Sequence, residues 1–163
     1  MFMPLMALSL AVASIVGQNL GAKQEERAFK AGWHVTLIGM AMMLLCCALL
    51  ILFADSLSDI MTKDKDTARI TASYIRYNAI GGPFLALAMV LGSALQGAGD
   101  TKTPMVISYI ANWVIRLPVA YGLAIVMKMG SDGAWLSMTL SVAVMGILTA
   151  LRYQSKAWLK TKV

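Results

Sequence analysis

The chain of 163 residues is 59% hydrophobic and only 13% charged, against about 45–50% and about 25% in an ordinary soluble domain. Its charged residues, 14 Lys and Arg and 8 Asp and Glu, fall in short clusters between long uncharged stretches, which excludes a soluble globular domain. The net charge of +6 would suggest nucleic acid in a soluble protein; here the basic residues flank apolar stretches, so they report orientation and no nucleic-acid partner is expected.

A hydrocarbon core of about 30 Å takes about 20 helical residues, and the chain supplies that length five times. The first expected span covers 1–22 and carries no Asp, Glu, Lys or Arg; without a basic n-region it reads as a membrane helix and not as a signal peptide. The second covers 31–54, with His34 and Trp33 at its edge as an interfacial anchor and the adjacent Cys46 and Cys47 as apolar filler. The segment Asp55 to Arg76, rich in both signs of charge, reads as an amphipathic connector into a third span at 72–97. The fourth, 103–127, is interrupted by one charge, Arg116. A tight turn at Gly130-Ser131-Asp132-Gly133, with Ser131 or Asp132 available as a helix cap, leads to the fifth at 133–151. Runs such as Met42 to Phe53 do not alternate as barrel strands do. The expected fold is an all-α polytopic transmembrane helix bundle, one membrane domain over 1–163 whose partner is the lipid bilayer.

Lys and Arg near the connections set topology. One side receives Lys23, Arg27, Lys30, Lys102, Arg152, Lys156, Lys160 and Lys162, and the other Lys63, Lys65, Arg69, Arg76 and Lys128. Eight against five predicts a cytoplasmic C-terminus. Small residues four apart, Gly17 with Gly21, Ala88 with Gly92 and Ser93 with Gly97, suit close helix packing in lipid.

Enzyme chemistry finds no constellation. The single histidine, His34, lies at a span edge, every Asp and Glu lies at a span boundary, and Gly97-Ala-Gly-Asp-Thr-Lys-Thr103 lacks both the glycine before its lysine and the strand of a phosphate loop. Arg116 is the informative charge, because a charge at mid-span is costly and faces protein or a watery cavity. Helical spacing places Asn112, Trp113 and Tyr109 on its face as hydrogen-bond, cation–π and polar-rim partners, and Pro118 leaves the Val114 carbonyl without its helical donor. Arg116 reads as a clamp on nearby carbonyls, as a snorkelling side chain, or as part of a substrate or ion pathway.

Four motifs carry a resemblance: Val16-Gly-Gln-Asn-Leu-Gly-Ala22, Leu95-Gln-Gly-Ala-Gly-Asp-Thr-Lys-Thr-Pro104, Asn112-Trp-Val-Ile-Arg-Leu-Pro-Val-Ala-Tyr121 and Gly130-Ser-Asp-Gly-Ala-Trp135. In their order and spacing they resemble the multidrug and toxic compound extrusion (MATE) family, with Gly17, Gln18, Gly21, Gln96, Gly97, Gly99 and Asp100 as landmarks. The resemblance implies a secondary antiporter of the inner (plasma) membrane that exports drug-like or cationic organic compounds in exchange for protons or sodium ions, without a bound cofactor. It is to spans 8 to 12 of twelve, the C-terminal half. It implies a second-half cavity wall from Asn78, Pro83 and Met89, and it places the Asp100 turn and the tail in the cytoplasm, the side chosen by charge.

The departures from the family pattern bear on mechanism. The first half and the seventh span lie outside the resemblance, and no carboxylate stands in the third span, where Pro83, Phe84, Leu85 and Ala86 occur. The chain is therefore expected to be a fragment that does not transport alone and whose partner is a missing N-terminal half or a second copy. Two rival readings stay open: a half-size homodimeric transporter, and a non-transporting membrane interaction protein.

Overall fold

The computed structural model describes residues 2–160, without the Lys160 side chain. Met1 of the first expected span and Lys160 and Lys162 of the basic tail are calls that lie outside the described residues or side chains. The described chain is helical throughout, with no strand, and it contains five helices long and apolar enough to cross a membrane.

Helix α1, Phe2–Gly21, buries Leu5, Ser9, Val12 and Val16 along one stripe, the 3–4 spacing of a single helix face. A short turn leads to α2, Glu25–Leu52, whose first turn carries Glu25 and Glu26, favourable beside the positive end of the helix dipole. The charged connector resolves into two pieces. A two-turn helix, α3, runs from Ala54 to Met61, and α4 begins at Lys65, earlier than the expected start at residue 72, and continues unbroken to Gly97. Asp64 caps α4 by accepting the Thr67 N–H at 3.1 Å, and Arg76, inside α4, pairs with Asp55 of α3 at 2.7 Å.

Helix α4 is the axis of the bundle. Its buried positions are mostly small, among them Ala72, Ala79, Gly82, Ala86 and Ala94, so the backbones of α1, α2, α3 and α6 pack against it. Small surfaces allow close approach where lipid gives no hydrophobic drive for helix association.

The fourth spanning helix, α5, Lys102–Val126, changes winding along its length. Lys102–Tyr109 and Leu117–Tyr121 are α-helical, while Ile110–Arg116 and Gly122–Val126 are π-helical. A π turn reaches from residue i to i+5, which passes over the missing N–H of Pro118. The proline is thereby accommodated by wider turns on both sides of it.

Helix α6, Gly130–Gln154, follows and is succeeded by a 3₁₀ turn at Ala157–Lys160. The expected cap by Ser131 or Asp132 does not form. The helix already starts at Gly130 and has no side-chain cap, because backbone bonds from Lys128 to Ile125 and from Met129 to Leu123 close the turn instead. Gly133 then meets α5 at the Leu123 and Ala124 backbone, which keeps α5 and α6 antiparallel neighbours.

Of the small-residue pairs, the contact that forms joins two different motifs. A side chain on Gly17 would lie 3.1 Å from the Gly97 carbonyl, and one on Gly97 would overlap the Ala13 backbone. Gly21 and Gly92 have nothing within 4 Å of a modest side chain, so their spacing serves no such approach.

Candidate functional site

Between α1, α2, α4 and α6 lies a cavity of about 170 Å³, whose α4 wall is Asn78, Ala79, Gly81, Gly82 and Leu85, facing Leu5, Met43 and Thr139 of the other helices. Its walls are mainly apolar, and it sits in the half of the bundle away from Asp100. Gly81 faces Thr139 across ordinary contact distance, whereas Gly82 is a close approach to α2, where any side chain would overlap the Cys47 sulfur.

The polar groups of this wall are uncharged. Asn78 spends one amide N–H on the Tyr74 carbonyl at 3.1 Å, which leaves its second N–H to donate and its side-chain oxygen to accept. The Thr139 hydroxyl donates to the Tyr77 carbonyl at 2.9 Å, tying α6 to α4 and leaving its lone pairs. Pro83 has no N–H to give the Ala79 carbonyl four residues back, and Ala79 also lines the cavity. The site therefore offers a few uncharged hydrogen-bonding groups, acceptors foremost, in an apolar shell with no carboxylate, which suits a hydrophobic group carrying an N–H donor or a diffuse positive charge.

The opposite end of the bundle is held by charge and aromatic stacking. Asp100, in the α4–α5 turn that Gly99 makes with φ +88°, accepts from the Thr103 N–H and hydroxyl at 3.2 and 2.7 Å and from Arg152 at 2.9 Å. Its side chain is 7% exposed and that of Arg152 34%. Burial by itself would raise the carboxyl, but the bonds from Thr103 and Arg152 and the Arg152 charge hold it below the usual carboxylate range.

Beside this pair the Tyr153 hydroxyl donates to the Ala28 carbonyl at 3.1 Å, and its ring stacks between Phe29 at 5.5 Å and Trp158 at 4.8 Å. Trp33 meets the same ring edge-on at 6.2 Å, so it packs inside the protein, whereas its neighbour His34 is exposed. Gly32 exists for this contact: any side chain there would overlap the Tyr153 ring.

The other residues singled out from sequence are spread over the bundle. Asn78 lines the cavity; Pro83 and Met89 do not, and Met89 packs on the core. Gln18 and Gln96 are exposed, the former bonded to Ser14 at 3.3 Å. The arrangement expected around Arg116 is not assembled. Asn112 turns back to the Ser108 carbonyl at 2.9 Å, and Trp113 stacks on Tyr109 at 6.5 Å with both rings exposed. Both partners are engaged elsewhere, Asn112 by Ser108 and the Trp113 ring by Tyr109. Sequence reasoning missed Thr139, Arg152, Tyr153 and Trp158.

The family model described as MatE matches residues 1–122, three-quarters of the chain, from α1 through the π-helical stretch that holds Arg116. The chain belongs to the MatE family. Among curated relatives it is similar to a probable multidrug resistance protein NorM of Thermotoga maritima, 29% identical over 99% of this chain and 35% of the relative. A probable NorM of Mannheimia succiniciproducens is 30% identical over 93% of this chain and 33% of that protein. The multidrug and toxin extrusion protein 1 of rabbit, Oryctolagus cuniculus, is 29% identical over 91% and 27%. The chain thus spans about a third of the length of these MATE relatives. All five of its apolar helices, and the cavity between four of them, lie within the portion that aligns with the Thermotoga protein.

Proposed function

We propose that this chain is the C-terminal lobe, spans 8 to 12, of a multidrug antiporter of the plasma membrane, and that its cavity holds the apolar body of a cationic or N–H-bearing drug-like substrate. The observation that supports this reading is the sparse, uncharged polar wall of Asn78 and Thr139 in an otherwise apolar cavity, within a MatE-family bundle. Acceptors stabilise a soft organic cation at modest desolvation cost, whereas a buried carboxylate would hold it more tightly and couple its release to protonation. With no carboxylate inside any span, coupling to a proton or sodium gradient falls to groups outside this chain.

Alternating access requires one bundle to move against another around a midplane site, so the chain by itself does not transport. The basic ends at Lys23, Arg27, Lys30, Lys102 and Arg152 set the Asp100 end and the C-terminus in the cytoplasm.

Efflux of the fluorescent cation ethidium from energised cells tests this. The chain alone is expected to match the empty vector, and the chain joined to in-frame upstream coding sequence is expected to export the dye and to lose most of that export on Gly81→Leu, which adds bulk to the cavity wall beside Thr139. Efflux by the chain alone, abolished by Arg116→Ala, would overturn the reading. A reporter fused after Val163 and active only outside the cytoplasm would overturn the orientation.

A further inference from the structure

The hairpin of α3 and the start of α4 encloses a second cleft, about 310 Å³ in volume, lined by Asp55, Ser58, Asp59, Lys65, Ala68 and Arg69. Helical spacing accounts for this lining. Ala54 and Ser58 of α3 and Ala68 and Ala72 of α4 are the buried positions of the hairpin, while Asp55 with Asp59, and Lys65 with Arg69, form two i, i+4 rows. A row of acids on α3 and a row of cations on α4 therefore rim one cleft over a floor of small residues.

Pairing across the cleft is incomplete. Asp55 is held by Arg76 at 2.7 Å, and the other ion pairs among the described residues are Glu26–Lys30 and Asp100–Arg152. Asp59, Lys65 and Arg69 belong to none of them, and all three are exposed. Unpaired charges of both signs on one cleft complement a zwitterion, whose two ends supply both counter-charges at once.

Depth in the membrane selects the source of that zwitterion. Residues 77–97 of α4 carry no charge and measure about 30 Å at the helical rise, the thickness of the hydrocarbon core. Arg76 marks the edge of that stretch, so the cleft opens at the level of the lipid headgroups, at the end of the bundle away from Asp100. The outside of the hairpin is apolar, with Phe53, Ile60 and Ile70 55%, 82% and 47% exposed, as suits contact with lipid.

We propose that the α3–α4 cleft binds the headgroup of a phospholipid of the phosphatidylethanolamine class, with its phosphate on Lys65 and Arg69 and its primary ammonium on Asp59. An ammonium offers N–H donors to a carboxylate, as that of lysine does. A choline headgroup has no such donor, and a glycerol headgroup brings no cation to Asp59. Binding here requires no transported substrate and stands whether or not the cavity carries drugs.

Native mass spectrometry of the full chain in detergent, titrated with phosphatidylethanolamine, phosphatidylcholine and phosphatidylglycerol of identical acyl chains, tests this. Phosphatidylethanolamine is expected to bind about tenfold more tightly than phosphatidylcholine, the factor set by one charge-assisted hydrogen bond, and more tightly than phosphatidylglycerol. Asp59→Asn should abolish the preference over phosphatidylcholine, and Lys65→Gln with Arg69→Gln should weaken all three lipids. Asp66→Asn, outside the cleft, should change neither. Equal binding of the ethanolamine and choline lipids would overturn the proposal, as would a preference that survives Asp59→Asn or tighter binding of phosphatidylglycerol. Loss of dye efflux with the lipid preference intact would sink the transport reading and leave the headgroup site standing.

Discussion

Arg152 near the end of α6 reaches across to Asp100 in the α4–α5 turn, with its guanidinium nitrogen 2.9 Å from the carboxylate. Fifty-two residues apart in sequence, the two join three spanning helices at the charged end of the bundle. The carboxylate is nearly buried, and Thr103 takes up its remaining acceptor capacity.

Loss of the charge at Asp100 should therefore be felt throughout the bundle. Asp100→Asn keeps an acceptor for Thr103 but gives up the ion pair, and the expected cost is about 2 kcal/mol, the range for hydrogen bonds to charged groups. Arg152→Ala should cost about the same, and the double variant little more than either single one, because the two share one interaction. Thermal unfolding in detergent measures all three; additive losses would show that the pair does not act as a unit.

The acid side of the stability profile follows from the same carboxylate. A folded-state pKa below the unfolded value of about 3.9 contributes stability that is complete above that value and is lost as pH falls through the folded pKa. Asp64, held low by the Thr67 hydroxyl and N–H, acts in the same direction. Melting temperature should stay flat from neutral pH to about 5 and fall below about 4, with a shallower fall in Asp100→Asn. A melting temperature that rises on acidification would contradict this.

Tyr153 separates polar from packing contributions. Tyr153→Phe removes the bonds to the Ala28 and Phe29 carbonyls and keeps the stack, for an expected loss of about 1 kcal/mol. Tyr153→Ala empties the stack and should cost about 3–5 kcal/mol. Gly32→Ala, which meets the same ring, should cost about 1–3 kcal/mol by overpacking. Chemical denaturation followed by tryptophan fluorescence reports on this cluster directly through Trp33 and Trp158.

Glycines alike in sequence should differ in tolerance. Gly97→Ala meets the Ala13 backbone, which cannot move aside as a flexible side chain would, and should lower the yield of folded protein in detergent. Gly92→Ala has open space and should be neutral or stabilise by up to about 1 kcal/mol through helix propensity. Equal sensitivity at the two positions would remove the close α1–α4 approach as the explanation.

Much of the fold was legible because the bilayer imposes a simple rule on composition. A span must be long, apolar and nearly uncharged, so Met1 to Ala22 and Ala31 to Ala54 declare themselves without any tertiary information. Helix ends were less legible. The start of α4 at Lys65 and the helical continuation through Asp132 depend on turn geometry and capping, and charged residues are as acceptable in an emergent helix end as in a loop.

The candidate site was legible only in part, through Asn78. Local spacing predicted a cluster around Arg116, but Asn112 bonds to Ser108 and Trp113 stacks on Tyr109 instead, a choice among neighbours that spacing does not make. Thr139, Tyr153 and Arg152 acquire their partners from residues 62, 125 and 52 positions away, and no pattern within a single span encodes such distances.

The sequence by itself determined that this protein is a bundle of membrane helices of the MatE type, because hydropathy and the order of short motifs are local properties. Only the tertiary structure decided which small residues meet, where a cavity opens, and that Asp100 is paired while no described residue pairs with Arg116. Those outcomes depend on how helices rotate and cross, and rotation is set by the summed packing of side chains far apart in the chain.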